Sequence, residues 1–190
     1  MLSRKTLLIC LAALLPAAAK AQLNPQQIFD RYVTAHQTLN FSEVAPYIHS
    51  HTLSIYRKTT SAVIKHAVDK FGEDAVVEFF QGTPLLDLNS FSDKQNWAFV
   101  MASSQQFSTE KPRGAVAPVA EFWDGPTQYF LVYPAGRSLL TAPEMGSFKA
   151  HLAYGFEQEN GIWKMRSFVP NAFEAALYWY LQRKLALKPA

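Results

Sequence analysis

The chain has 190 residues, 49% of them hydrophobic and 14% aromatic, with a net charge of +3 from 18 Lys and Arg against 15 Asp and Glu. That apolar content excludes a disordered chain, which has too little surface to bury to offset the entropy of ordering. The positive excess lies entirely within the first 21 residues, where Arg4, Lys5 and Lys20 fall and no acid does, so the other 169 residues carry 15 charges of each sign and lose the basic surplus that nucleic-acid binding requires.

That first segment, MLSRKTLLICLAALLPAAAKA, predicts a cleavable secretory signal over residues 1–21. Arg4 and Lys5 open it, Thr6 to Leu15 form an apolar run too short to anchor in a bilayer, Pro16 breaks the run, and Ala19 and Ala21 suit cleavage before Gln22. Cys10 does not suit lipidation, because bulky Ile9 precedes it inside the apolar run. With the leader goes the sole cysteine, leaving an exported chain that has neither disulfide nor thiolate chemistry. Residues 22–190 suit one domain, periplasmic or secreted from a bacterium, and no later segment has membrane-spanning length.

Asn24-Pro25-Gln26-Gln27 reads as a capping box with proline at the first helical position, and Ile28, Tyr32 and Val33 continue the helix to about residue 38. A short helix over Ser42 to Ile48 follows, then a long one whose stripe runs Leu53, Tyr56, Thr60, Val63, Ile64, Ala67, Val68 and Phe71, ending at Gly72. Glu73 to Phe80 predicts another helical piece, stopped by Gly82 and Pro84. Ser92 and Gln95 make a second capping box for a helix reaching about Gln106. From 107 to 114 the composition turns to Ser, Thr, Lys, Pro and Gly, which marks the crossing into a sheet half. Strands are expected over Ala115 to Trp123, with Pro118 implying an edge or bulge, and over Thr127 to Tyr133; a loop fills Pro134 to Gly146. Asn171 caps a last helix, with Phe173, Leu177, Tyr180, Leu181 and Leu185 on one face, ending near Leu187.

The most specific local signal is HLAYGFEQENGIWKMRSFV, residues 151–169: two alternating runs joined by Asn160-Gly161, which tolerate the positive φ of a two-residue type I′ turn. That turn pairs Glu159 with Ile162, Gln158 with Trp163, Glu157 with Lys164, Phe156 with Met165, Gly155 with Arg166, Tyr154 with Ser167 and Leu152 with Val169. Leu152, Tyr154, Phe156, Trp163, Met165 and Val169 then share a core face with Gln158 and Ser167, while His151, Glu157, Glu159, Lys164 and Arg166 face water. Acid-base chemistry on an apolar substrate needs a carboxylate or imidazole facing the cavity, and this hairpin offers none there.

Helices followed by an antiparallel sheet, an ENGIWKM hairpin and a closing helix resemble the nuclear transport factor 2-like superfamily. NPQQIFDRYVTAHQTLNFSEVAPYIHSHTLSIYR looks like its first two helices, and GIWKMRSFVPNAFEAAL like the final strand and trailing helix of small exported bacterial members. The resemblance implies an α+β fold with N-terminal helices on the concave face of a bent antiparallel sheet of about four strands, and a C-terminal helix. Ketosteroid isomerases and SnoaL-like cyclases of this fold use a cavity-facing Asp or His on the sheet with a helix Tyr. The nearest sheet candidates are His151, which the register turns away from the helices, Asp124, in a turn, and Glu121, whose facing Pro118 leaves open.

His49-Ser50-His51 has a spacing that a strand could present to a metal, but it falls between two helices with no third ligand in sight, so capping or solvation is the expected role. His36 and His66 read as partly buried structural residues. Serine-nucleophile elbows, phosphate loops and dinucleotide fingerprints are absent, and no cofactor is expected. AALYWYLQRKLALK, within residues 173–188, places aromatics beside Arg183, Lys184 and Lys188, which suits a helix packed on the sheet or one resting peripherally on an anionic membrane.

The leading expectation is non-catalytic binding of an apolar small ligand or an envelope protein in a cavity lined by Tyr32, Trp97, Tyr154 and Trp163. The alternatives are an isomerase, dehydratase or cyclase using Glu121 in a hydrophobic pocket, and an interaction subunit docking through the last helix. A homodimer stays open.

Overall fold

The computed structural model describes residues 22–107, 117–134, 151–166 and 171–186. The expected leader, the segment from residue 108 to 116, the loop after Pro134, the last residues of the chain and the partners Ser167 and Val169 of the expected hairpin lie outside them.

The described chain is α+β. Helix α1 spans Pro25–Thr38, α2 Ser50–Phe71, α3 Glu73–Phe79, α4 Leu85–Ser90, α5 Asp93–Gln105 and α6 Asn171–Ala186. Strands β1 Ala120–Trp123, β2 Gln128–Pro134, β3 His151–Glu159 and β4 Ile162–Met165 form one antiparallel sheet in the order β1-β2-β3-β4. Local chemistry sets the helix starts. Asn24 and Ser92 each accept from the backbone N–H three residues on, while Gln27 and Gln95 reach back to the cap backbone, so both capping boxes form.

Four elements differ from expectation. Residues 41–47 are two 3₁₀ turns, Phe41–Glu43 and Ala45–Tyr47, instead of one α-helix. Pro46 has no N–H to give, and the bonds that form are i to i−3: Val44 to Phe41, Tyr47 to Val44 and Ile48 to Ala45. Helix α4 was not expected; Pro84 starts it as N-cap, and Leu88 is its only buried side chain, which leaves too little apolar periodicity to read. Helix α6 begins at Asn171 itself, and β1 is confined to Ala120–Trp123. It is an edge strand, as Pro118 implies.

The hairpin register is the expected one: Phe156 opposes Met165, Glu157 Lys164, Gln158 Trp163 and Glu159 Ile162. Asn160 and Gly161 have φ of 53° and 75°, the left-handed pair that a type I′ turn demands. Phe156 and Met165 are each 1% exposed. Burial of side chains this large stabilises by about 1.5–3 kcal/mol each, and a one-residue slip would turn both to the opposite face.

One face of the sheet receives the helices. Leu131, Phe156 and Met165 join one core with Ile28 and Phe29 of α1, Phe41 ahead of α2, Leu53 and Tyr56 of α2, Trp97 and Val100 of α5, and Phe173, Leu177 and Leu181 of α6, the first of these packed against Phe79 and Phe80. The opposite face is not uniformly wet. Residues 46–50 run along β4: His49 N–H donates to Met165 O at 3.0 Å, Lys164 Nζ donates to Pro46 O, and Ser50 donates through N–H and hydroxyl to Glu159. Glu157, Glu159 and Lys164 are therefore half-buried, because a strand pattern cannot foretell that an edge will be covered by distant chain.

Candidate functional site

The pairing of the strands puts two rows of side chains under the helices. Glu121, Leu131 and Tyr154 make one row; Trp123, Tyr129, Phe156 and Met165 make the next. Helix α1 lies over the β3 end, since Phe29 contacts the Tyr154 ring at 4.7 Å between centroids and Tyr32 approaches it at 6.2 Å.

Around Tyr32 the polar groups of four elements converge. His36, one turn further along α1, meets the Tyr32 ring edge-on at 4.6 Å and the Phe41 ring at 4.9 Å. Its Nδ1 lies 3.1 Å from Gln105 Oε1 of α5, a bond that the tautomer protonated on Nδ1 donates. Tyr56 of α2 is 2% exposed, and its hydroxyl donates to Met101 Sδ at 3.4 Å.

Burial pushes the phenols of Tyr32, Tyr56 and Tyr154 upward, and a Tyr32 anion would be opposed further by Tyr154. Burial lowers His36, against a smaller raising effect from its bond to Gln105. All four groups are thus neutral at pH 7. Such a set offers hydroxyl donors and acceptors in apolar surroundings, together with a neutral imidazole.

The second row opens outward. Trp123 is 59% exposed, and its ring lies 4.8 Å from Tyr129 and 5.6 Å from Trp163, with Tyr129 and Trp163 6.4 Å apart. The three rings are mutually tilted by 55° to 62° and form a continuous aromatic surface. Tyr129 donates its hydroxyl to Glu121.

Of the four residues expected to line a cavity, Tyr32 and Tyr154 stand together. Trp163 belongs to the outer aromatic group; it opposes Gln158, four residues along β3 from Tyr154, which is about 13 Å at the rise of a strand. Trp97 is 5% exposed and packs edge-on against Phe41 at 5.8 Å. Helical spacing marks a core face without telling a packed ring from a lining one. Glu121 is exposed at the sheet edge, so the buried acid that the isomerase reading needs is missing from that position. His151 lies in β3 opposite Pro134.

His49 is the N-cap of α2; its Nδ1 accepts from His51 N–H at 3.2 Å, and its Nε2 lies 3.7 Å from Glu157 and 3.9 Å from Glu159. His51 is exposed, and among the described residues no group of three or more His, Cys, Asp or Glu could hold a metal ion. Hydrogen bonding from Ser50 is the main cause that lowers Glu159 below the usual carboxylate value. His66 is exposed, contrary to the partly buried place expected for it, with its ring 6.2 Å from Tyr178. It follows Ile64 closely on α2 but falls outside the buried stripe.

Sequence reasoning missed Tyr56 and Gln105 as members of the polar set, and Trp123 and Tyr129 as an aromatic surface. Tyr56 carried a signal, since it lies on the α2 stripe as a phenol whose hydroxyl needs a partner when buried. Nothing in the local sequence marks Gln105. Comparison with family models, with curated proteins and with solved structures finds no match to this chain.

Proposed function

We propose that this chain is an exported, non-catalytic binding protein of the bacterial cell envelope that takes an apolar small molecule between α1 and the sheet. The observation that carries the reading is the neutral set of Tyr32, His36, Tyr56 and Tyr154 set among buried aromatics and beside an exposed aromatic surface. An apolar body gains by leaving water against Trp123, Tyr129 and Trp163, and a carbonyl or hydroxyl on it would find phenolic donors beneath. The leader-like first 21 residues and the resemblance to small exported nuclear transport factor 2-like proteins support the address and the class.

The test is a titration of the purified protein with the neutral dye N-phenyl-1-naphthylamine, alongside native mass spectrometry of protein taken directly from cells. Saturable dye binding that Trp123→Ala weakens several-fold, with a small molecule retained in the gas phase, is the expected result. Absence of both dye binding and a retained molecule would sink the reading.

A second reading has one observation behind it: Trp179 of α6 is 43% exposed, with the Arg183 guanidinium 5.1 Å from its ring centroid. An aromatic and a cation side by side suit docking to a partner or an anionic surface. No helix among the described residues is long and apolar enough to cross a membrane. Co-sedimentation with phosphatidylglycerol vesicles that Trp179→Ala abolishes would favour the surface; unchanged partition would remove it.

A further inference from the structure

We propose that the open edge of the sheet carries a subsite for an organic ammonium group, formed by the Glu121 carboxylate and the indoles of Trp123 and Trp163. The inference rests on the reading of this aromatic surface as ligand-facing, and it gives the apolar molecule taken there a positively charged end.

Alternation and pairing bring the parts together. Glu121 and Trp123 are two residues apart on β1 and so share a face, and Tyr129 stands opposite Trp123 on β2. The Tyr129 hydroxyl donates to Glu121 while its ring lies 4.8 Å from that of Trp123, so acid and indole are one phenol apart. Trp163 adds a ring 5.6 Å from Trp123. The contacts of Trp123 with Tyr129 and Trp163 are tilted, by 55° and 62°, instead of stacked, and at 59% exposed its indole keeps a π face open to water. That face is the negative side of the ring quadrupole, and a carboxylate at its rim adds to the attraction for a cation.

Elsewhere the chain supplies its own cation to such rings. Arg183 lies 5.1 Å from the Trp179 centroid, Lys70 5.3 Å from Phe71 and Arg31 5.8 Å from Tyr47. Among the described residues no lysine or arginine takes that place over Trp123 or Trp163, and Glu121 makes no ion pair. The acid and the indoles are thus left for a positive charge from outside. A metal cation would have to shed its water to lie on the rings, whereas an alkylammonium brings methyl or methylene groups that gain from the same contact.

The test compares choline with 3,3-dimethyl-1-butanol, in which carbon replaces the charged nitrogen and the shape is kept. Each is titrated into the whole protein while the tryptophan indole N–H signals are followed by two-dimensional NMR. The alcohol is the more apolar of the two, so contact with the rings alone would rank it first. The expected order is the reverse: choline shifts Trp123 and Trp163 saturably and binds about fivefold more tightly than the alcohol, while Trp179, which already carries Arg183, stays still. Glu121→Gln keeps an acceptor for the Tyr129 hydroxyl, and it should weaken choline several-fold and leave the alcohol unchanged. An alcohol that binds as tightly as choline, or equal shifts at Trp179, would overturn the subsite, as would a folded Glu121→Gln that holds choline as well as the unaltered protein does. Should that variant fail to fold, the order of the two probes on the unaltered protein decides. Dye binding without a preference for choline would remove the subsite and leave the function proposed above; a preference for choline without dye binding or a retained molecule would do the opposite.

Discussion

Trp123 and Met165 occupy the two ends of one row across the sheet, yet Trp123 is 59% exposed and Met165 1%. Both sit on the face that alternation marks as apolar. The difference comes from what lies above: α1 and the second 3₁₀ turn cover the β3–β4 half, whereas the β1 edge carries its aromatics into solvent. Strand alternation chooses a face, and the helices choose how much of that face becomes core. The covered half holds the fold, and the open half is free to meet something else.

The sharpest way to break this contrast is truncation within the row. Phe156→Ala should cost about 3–5 kcal/mol in urea denaturation, because a fully enclosed ring leaves a cavity that its neighbours cannot fill. Next in size are the two turns. Gly161 and Gly125 have φ of 75° and 72°, and a Cβ at either would meet open space. Their alanine variants should each lose about 1–2 kcal/mol from left-handed backbone strain alone. Similar losses at the two turns would show that the halves differ in packing and not in turn chemistry; a much larger loss at Gly161 would contradict that.

Smaller again is the pH response of the covered half. His36 is lowered from an ordinary value of 6.5, so the unfolded chain takes up its proton first. Stability should therefore be whole above about pH 6.5 and decline as the pH falls below it, until the folded imidazole also titrates. His36→Gln, which keeps a hydrogen-bonding partner for Gln105, should flatten that decline between pH 6.5 and 5. Glu159 adds an acid-side loss of the same sign that starts only below its ordinary 4.5, so the two can be separated. The smallest effect is expected at the open edge: Trp123→Ala should change stability by no more than about 0.5 kcal/mol, while reducing dye binding.

The parts of the fold legible in the sequence are those fixed by neighbours in the chain. Asn160-Gly161 with alternation on both sides dictated turn and register together, and the Asn24 and Ser92 boxes placed two helix starts. Elements decided by contacts elsewhere were not legible. Leu85–Ser90 is a helix with one buried residue, and the split of residues 41–47 into 3₁₀ turns depends on Pro46 and on where Ile48 must go to meet Met165. The same limit applies to the site. Aromatic residues could be named, but the contact of Trp97 with Phe41, far along the chain, has no local signal.

The bond from His49 N–H to Met165 O has a consequence for assembly. It takes one carbonyl on the outer side of β4, and the Lys164 ammonium on Pro46 O holds the same piece of chain there. Among the described residues β1 and β4 are the two edge strands of the sheet. A strand arriving from another molecule at β4 would first have to displace residues 46–49, so that flank is blunted against edge-to-edge pairing.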